Sequence, residues 1–152
     1  MDEIDQKIIN ELQKNARLTN NELADKVHLS PSPCLRRVRK LEESGLIKGY
    51  TAIIDCEKYG LPVSVFVSIT VESPSSMVEF EKAIHKFDEI TDCYLMTGSC
   101  DYLLKVVSHD LKSYEYFIRE KMAHVPGVAN LESSFAFGVI KSQAPLPPMP
   151  NR

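Results

Sequence analysis

The stretch from Thr19 to Ile47 constrains the fold more than any other part of the chain. It opens with Thr19-x-x-Glu22, a capping-box pattern that starts a helix, and Leu23, Ala24 and Val27 follow at spacings that turn one face inward. Ser30 is a second N-cap residue, and Pro31 suits the first helical position after it. Pro33 is still tolerated there, because first-turn N–H groups have no intrahelical partner. Leu35, Val38 and Leu41 then form the predicted apolar stripe, with Cys34 toward the same side. Arg36 and Lys40 lie opposite it with Ser32 and Pro33, and Arg37 and Arg39 flank it. Gly45 is the expected stop. His28 stands between the helices, where a tight turn favours φ > 0 and glycine is common; His tolerates that region better than most residues. Leu29 plugs the core beneath the turn. Two short capped helices, the second with a basic face, make a helix-turn-helix. That motif, at about 20–39 with a recognition helix at about 31–44, places side chains in the major groove of DNA.

A net charge of −3 argues at first against a nucleic-acid partner. The charge is unevenly spread. Residues 1–50 hold nine Lys/Arg and eight Asp/Glu, a net of +1, and the remainder carries −4. A local basic ridge is what phosphate contacts need, although a ridge of this kind is also an ordinary solvated helix face. Hydrophobic content of 43% with 26% charged residues is that of a globular protein, and no apolar run approaches a membrane span. The opening Met1-Asp2-Glu3-Ile4-Asp5 is acidic and unlike a signal peptide, so the cytoplasm is the expected compartment. Cys34, Cys56, Cys93 and Cys100 contain no Cys-x-x-Cys pair, so reduced thiols are expected and no metal site.

Upstream of the motif, Ile4, Ile8, Ile9 and Leu12 recur at helical spacing over about 2–15, with Asp2 and Asp5 where negative charge suits the helix dipole. Downstream, Leu46-Ile47 and Tyr50–Ile54 predict a short strand leaving the head. From Pro62 the period changes to two. Val63–Val71 alternates as a half-buried strand. Ser73-Pro74 starts a helix carrying Met77, Phe80, Ile84 and Phe87. Strands at 91–97 and 102–107 flank a tight loop, Gly98–Asp101. A helix follows from about Asp110 to His124, and Pro126-Gly127 turns the chain into a last strand at about 128–141. The order β-α-β-β-α-β is the ferredoxin-like split βαβ. The fold class is therefore α+β, with domains at 1–60 and 61–142. The tail, 143–152, holds too many prolines for a ladder or a helix.

Several motifs occur in a fixed order: Ile4-Asp5-x-x-Ile8; Leu29-Ser30-Pro31-x-Pro33-Cys34-Leu35-x-Arg37-Val38-x-x-Leu41-Glu42-x-x-Gly45-Leu46-Ile47; Gly49-Tyr50-Thr51-Ala52; Tyr94-Leu95-Met96-Thr97-Gly98-x-x-Asp101-Tyr102-Leu103-Leu104; and Pro126-Gly127-Val128. With them the chain, over nearly its whole length, resembles the Lrp/AsnC (feast/famine) regulators of bacteria and archaea, most closely the leucine-responsive branch. The resemblance implies a transcription regulator with a winged helix-turn-helix head. It also implies a C-terminal RAM domain that dimerises through its sheets, octamers built from dimers, and a free amino acid bound between dimers. Close association with the nucleoid goes with that role.

Mapped residue by residue, the resemblance implies DNA contacts from Ser30, Ser32, Pro33, Arg36, Arg37, Arg39 and Lys40. An outward arginine either makes a bidentate contact to guanine or grips phosphate. The implied effector site is Met96, Thr97, Gly98, Ser99, Asp101 and Tyr102. A neighbouring subunit supplies the other wall, for which Pro126, Gly127, Ser134, Phe135 and Ala136 match. A zwitterion needs donors for its carboxylate and an acceptor for its ammonium. Gly98 admits close backbone approach, and Asp101 is either the ammonium partner or a residue that fixes the loop. Taken alone, Gly98–Asp101 is also an ordinary hairpin turn. Leucine or methionine is the favoured effector, although Ser99-Cys100 stands where close relatives often carry an acidic residue. The four scattered histidines and the lack of a Gly-rich phosphate loop or nucleophile elbow leave no catalytic residues and no enzyme expected. No cofactor is expected either. The competing expectation is an architectural protein that wraps DNA without an effector.

Overall fold

The computed structural model describes residues 1–147 and Met149. The chain forms two compact units, 1–53 together with 141–152, and 54–140.

In the first unit, α1 (Glu3–Lys14), α2 (Asn20–Lys26) and α3 (Pro31–Glu43) enclose a small core of Ile8, Leu23, Ala24, Val27, Cys34 and Leu41. The predicted capping box of α2 is present: the Glu22 N–H donates to Thr19 Oγ1, and the Thr19 N–H donates to Glu22 Oε2 at 2.7 Å. His28 adopts φ +57° in the turn, and Gly45, at φ +74°, ends α3.

Three expectations for this unit need correction. Ser30 holds the N-cap position of α3, but its hydroxyl makes no capping bond. Leu35 is 39% exposed; the inward stripe is Cys34, Val38 and Leu41, which lie at i, i+4 and i+7 on one face of a 3.6-residue period. The strand predicted across 46–54 does not form; among the described residues no strand pairs with it, and a strand needs a partner for its backbone hydrogen bonds. The tail packs with this unit, where the Leu146 N–H donates to Gln13 Oε1 at 2.8 Å.

The second unit begins with a single helical turn, α4 (Cys56–Tyr59). It continues with β1 (Val63–Val71), α5 (Ser76–Ile84), β2 (Ile90–Leu95), β3 (Tyr102–Ser108), α6 (Leu111–Tyr116) and β4 (Val128–Phe135). The four strands form an antiparallel sheet in the order β2-β3-β1-β4, the predicted ferredoxin-like arrangement. Val65, Val67 and Ile69 of β1 and Tyr102, Leu104 and Val106 of β3 face the helices. There they meet Phe80, Ile84, Tyr114, Phe117 and Met122 in one core.

α5 starts later than Ser73-Pro74, and Phe87 lies beyond its end. α6 does not run on as α-helix. It widens over Phe117–Lys121 and tightens over Met122–His124, which seats both Phe117 and Met122 in the core. β4 ends at Phe135, six residues short of expectation. β1 has by then reached Ser64, whose carbonyl accepts the Ala136 N–H, and residues beyond find no strand to pair with.

Candidate DNA interface and effector site

α3 is held by both ends of its neighbours. Asn20 Nδ2, at the start of α2, donates to the Pro31 carbonyl at 2.8 Å. Beyond the C-terminal end of α3, Tyr50 Oη donates to Glu42 Oε1 at 2.8 Å. Burial first and that carboxylate second push the Tyr50 pKa up to about 12. The outer face of α3 carries Ser32, Arg36, Arg39 and Lys40, all exposed, and Pro33 is half-buried beside them. Ser32, Arg36 and Lys40 follow one another at four-residue intervals, so they line one ridge. Among the described residues, Arg36, Arg39 and Lys40 make no ion pair.

Arg37 differs. Its Nη1 donates to Asp2 Oδ2 and to Asp5 Oδ1, each at 2.7 Å. The two aspartates form the capping box of α1. The Asp5 N–H donates to Asp2 Oδ1 at 2.9 Å, and the Asp2 N–H donates to Asp5 Oδ2 at 3.1 Å. The Asp5 backbone N–H and then Arg37 lower the Asp2 pKa, while Asp5 and then Asp2 raise that of Arg37. From sequence, Asp2 and Asp5 show only as dipole-matched charges. The Asp2-x-x-Asp5 spacing of a capping box was the signal available.

In the second unit the candidate effector residues fall into two groups. Met96, Thr97, Gly98 and Ser99 are exposed in the loop between β2 and β3. The Met96 N–H donates to the Asp101 carbonyl at 2.8 Å and closes that loop. Gly98 takes φ +116°, with open space where a Cβ would stand. Asp101 reaches across to β1: its Oδ2 accepts the Val71 N–H at 2.8 Å, and its own N–H donates to the Ile69 carbonyl at 2.9 Å. It therefore fixes the loop with one carboxylate oxygen. That link spans thirty residues of sequence and carries no local signal. Tyr102 is turned into the core, 2% exposed, stacked on Phe80 at 4.6 Å with its hydroxyl donating to Glu81 Oε1 at 2.7 Å. Burial and then Glu81 push its pKa up to about 12.

Gly127 joins the same end of the sheet, where its carbonyl accepts the Glu72 N–H at 2.8 Å; Pro126 beside it is exposed. Ser134, Phe135 and Ala136 do not join it. Phe135 pairs with Val65, and Val128 pairs with Val71. Along β1 the Val128–Val71 pair beside Gly127 and the Phe135–Val65 pair are therefore six residues apart, about 20 Å at roughly 3.4 Å per residue, while Tyr102, opposite Ile69, and Ser134, opposite Phe66, are three residues apart. The Phe135 ring rests edge-on against Tyr114 at 5.3 Å.

No group of His, Cys, Asp and Glu suited to a metal ion occurs among the described residues, and no described helix is long and apolar enough to cross a membrane. A helix-turn-helix whose outer ridge carries cations without ion-pair partners among the described residues defines a DNA-binding module, and a separate ferredoxin-like domain follows it in the chain. Residues 1–48 match the winged helix-turn-helix DNA-binding family, and residues 64–146 match the Lrp/AsnC ligand binding domain. The chain belongs to the Lrp/AsnC family of transcriptional regulators, which are not enzymes.

It is 43% identical over 130 residues to the leucine-responsive regulatory proteins of Klebsiella pneumoniae and Escherichia coli K12, covering 84% of this chain and 79% of each of those. Its fold superposes on a transcriptional regulator of Neisseria meningitidis crystallised with L-Met. The TM-score is 0.92 at 35% identity, over 97% of this chain and 96% of that one. An AsnC family regulator of Agrobacterium tumefaciens follows, with a TM-score of 0.89 at 38% identity over 97% of each chain.

Proposed function

We propose that this protein reads imperfect palindromic DNA sites near genes of amino-acid metabolism and is modulated by leucine or methionine bound between its subunits. One observation carries the proposal. The loop end beside Gly127 and the Phe135 end stand about 20 Å apart along one sheet, further than leucine or methionine spans, which supports a pocket made from the loop end of one protomer and the opposite end of another. The loop end offers exposed backbone at Gly98 and a carboxylate at Asp101, which suit the two charges of a zwitterion. The opposite end offers Ser134 and Ala136 toward the outer face of the sheet that carries Phe66, and Phe135 toward the helix side against Tyr114. The names of the relatives, leucine-responsive in one case and bound to L-Met in another, favour an aliphatic or thioether ligand.

A second copy of the chain is the partner the sheet favours. Phe66 and Leu103 alternate onto the face away from the helices, with Tyr94 beside them; Phe66 is 37% and Tyr94 53% exposed. Such a face buries itself against its like. Dimers of this kind set two α3 helices about one DNA turn or a multiple of it apart. Assembly of dimers to octamers brings loop ends against opposite sheet ends, and the protein then works on the cytoplasmic nucleoid.

A thermal-shift screen of the purified protein against the common amino acids tests this. A ligand that binds only the folded state at 100 times its Kd stabilises it by about 2.7 kcal/mol, so a selective rise with leucine or methionine is expected. No rise with any amino acid would favour an effector-independent protein that wraps DNA.

A further inference from the structure

We infer that Arg37 is a positioning residue that locks the recognition helix to the N-terminus of α1, and that it does not serve as a phosphate or base contact. The inference rests on the DNA-reading role proposed above and assigns Arg37 and its neighbours within it. Four observations carry it. Arg37 follows buried Cys34 by three residues and precedes buried Leu41 by four, so it sits at the inner flank of α3, whereas Arg36 and Lys40 share the outer ridge. Its side chain is 31% exposed. Both protons of Nη1 are committed, one to each aspartate, at 2.7 Å.

The fourth observation is that all four carboxylate oxygens of the aspartate pair are used. Asp2 Oδ1 and Asp5 Oδ2 take the reciprocal backbone N–H groups, and Asp2 Oδ2 and Asp5 Oδ1 take Arg37. One guanidinium thus closes a capping box and ties it to a helix more than thirty residues away. Moving Arg37 to a phosphate would strip Asp2 Oδ2 and Asp5 Oδ1 of their partner. It would also leave two adjacent carboxylates uncompensated beside a polyanion.

The test uses the full-length protein, a duplex enriched by the wild-type protein from random sequence, and a scrambled duplex of equal length, with binding measured by fluorescence anisotropy across a salt series. Enrichment of no duplex would overturn the DNA-reading role itself and the inference with it, and would be known before any variant is made. With a selected duplex in hand, Arg36→Ala is the reference for a true contact. It should weaken both duplexes and flatten the salt slope by about 0.9 if Arg36 meets a phosphate.

Arg37→Gln should keep the wild-type slope and the affinity for scrambled DNA, and lose about tenfold on the selected duplex, the equivalent of ~1.4 kcal/mol. Asp5→Asn retains Arg37 and removes a negative charge, so simple electrostatics demands tighter binding. The lock instead requires weaker binding to the selected duplex, and a double variant no worse than either single one. Circular-dichroism melts of each variant at the assay temperature keep unfolding separate from mispositioning. A slope flattened by about one with equal losses on both duplexes for Arg37→Gln, or tighter binding by Asp5→Asn, would overturn the inference.

Discussion

Asp101 carries two separable properties, shape and charge. Its Oδ2 holds the Val71 N–H at 2.8 Å and so fixes the loop that carries Gly98; its charge is the natural partner of an ammonium group. Asp101→Asn keeps an oxygen for the Val71 N–H and discards the charge. Under the proposed function this variant should melt within a degree or two of the wild type, while its amino-acid response disappears. Asp101→Ala should lose both, with Val71 unsatisfied at about 1–3 kcal/mol. An Asn variant that still answers to the amino acid would leave Asp101 a structural role only. Gly127 is constrained differently. At φ +79°, a Cβ there would stand 2.3 Å from Ser76 Cβ, so Gly127→Ala must displace the start of α5 as well as bear backbone strain of about 1–3 kcal/mol. A fall in Tm of several degrees is expected; an unchanged Tm would mean that the Ser76 turn yields freely.

At the level of elements, three helix starts and one ion pair near the end of α1 determine how the protein responds to acid. The pKa of Glu22 is lowered first by the Thr19 N–H, that of Glu11 first by Lys14, and that of Asp110 first by the Ser113 N–H; Asp2 is lowered by its own capping box. A carboxylate whose folded pKa is depressed adds stability above its ordinary value, and that stability is lost as the pH falls through the folded value. The ordinary values are 3.8 for Asp and 4.5 for Glu. Helicity should therefore survive from neutrality to about pH 5 and melt at progressively lower temperature below about pH 4. Thr19→Ala, which removes a cap at about 1 kcal/mol, should make that decline shallower by taking the Glu22 contribution away. An equally steep decline would exclude the α2 cap as a source.

The starts of α2 and α6 were legible in the sequence, because a cap is a contract between residues three apart; the box of α1 and the start of α5 were not. Strand ends were not, because they depend on partners far along the chain. Phe137 and Val139 continue the period-two pattern from Phe135, yet the pairing with β1 does not extend to them. Residues 46–54 missed their predicted strand for the same reason. On α3 the basic ridge was visible from spacing. The choice of Leu35 over Cys34 for the inner stripe was an error of one residue on a helical wheel, where a thiol buries as readily as a leucine. The partners of Arg37 and Asp101, all thirty or more residues away along the chain, could be seen only once the chain was folded.

For the whole molecule, the half-pocket proposed for each protomer makes a direct prediction. Asp101→Ala spoils the loop half, and Phe135→Ala spoils the opposite half. Under the proposed function, each variant alone should fail to respond to the amino acid. Mixed and reassembled, the two should regain a fraction of intact sites, each built from the undamaged half of either partner, and the thermal shift should return in part. Mixing without recovery would place the ligand within one chain. Under the proposed function, two half-sites about 20 Å apart along one sheet never meet within a single chain. A pocket closed by two chains is populated only as far as the chains meet, so amino-acid affinity becomes a function of how much of the protein a cell holds. Doubling the copy number would shift the dose at which genes respond even with an unchanged nutrient supply. Such a regulator would weigh its own abundance together with that of its ligand.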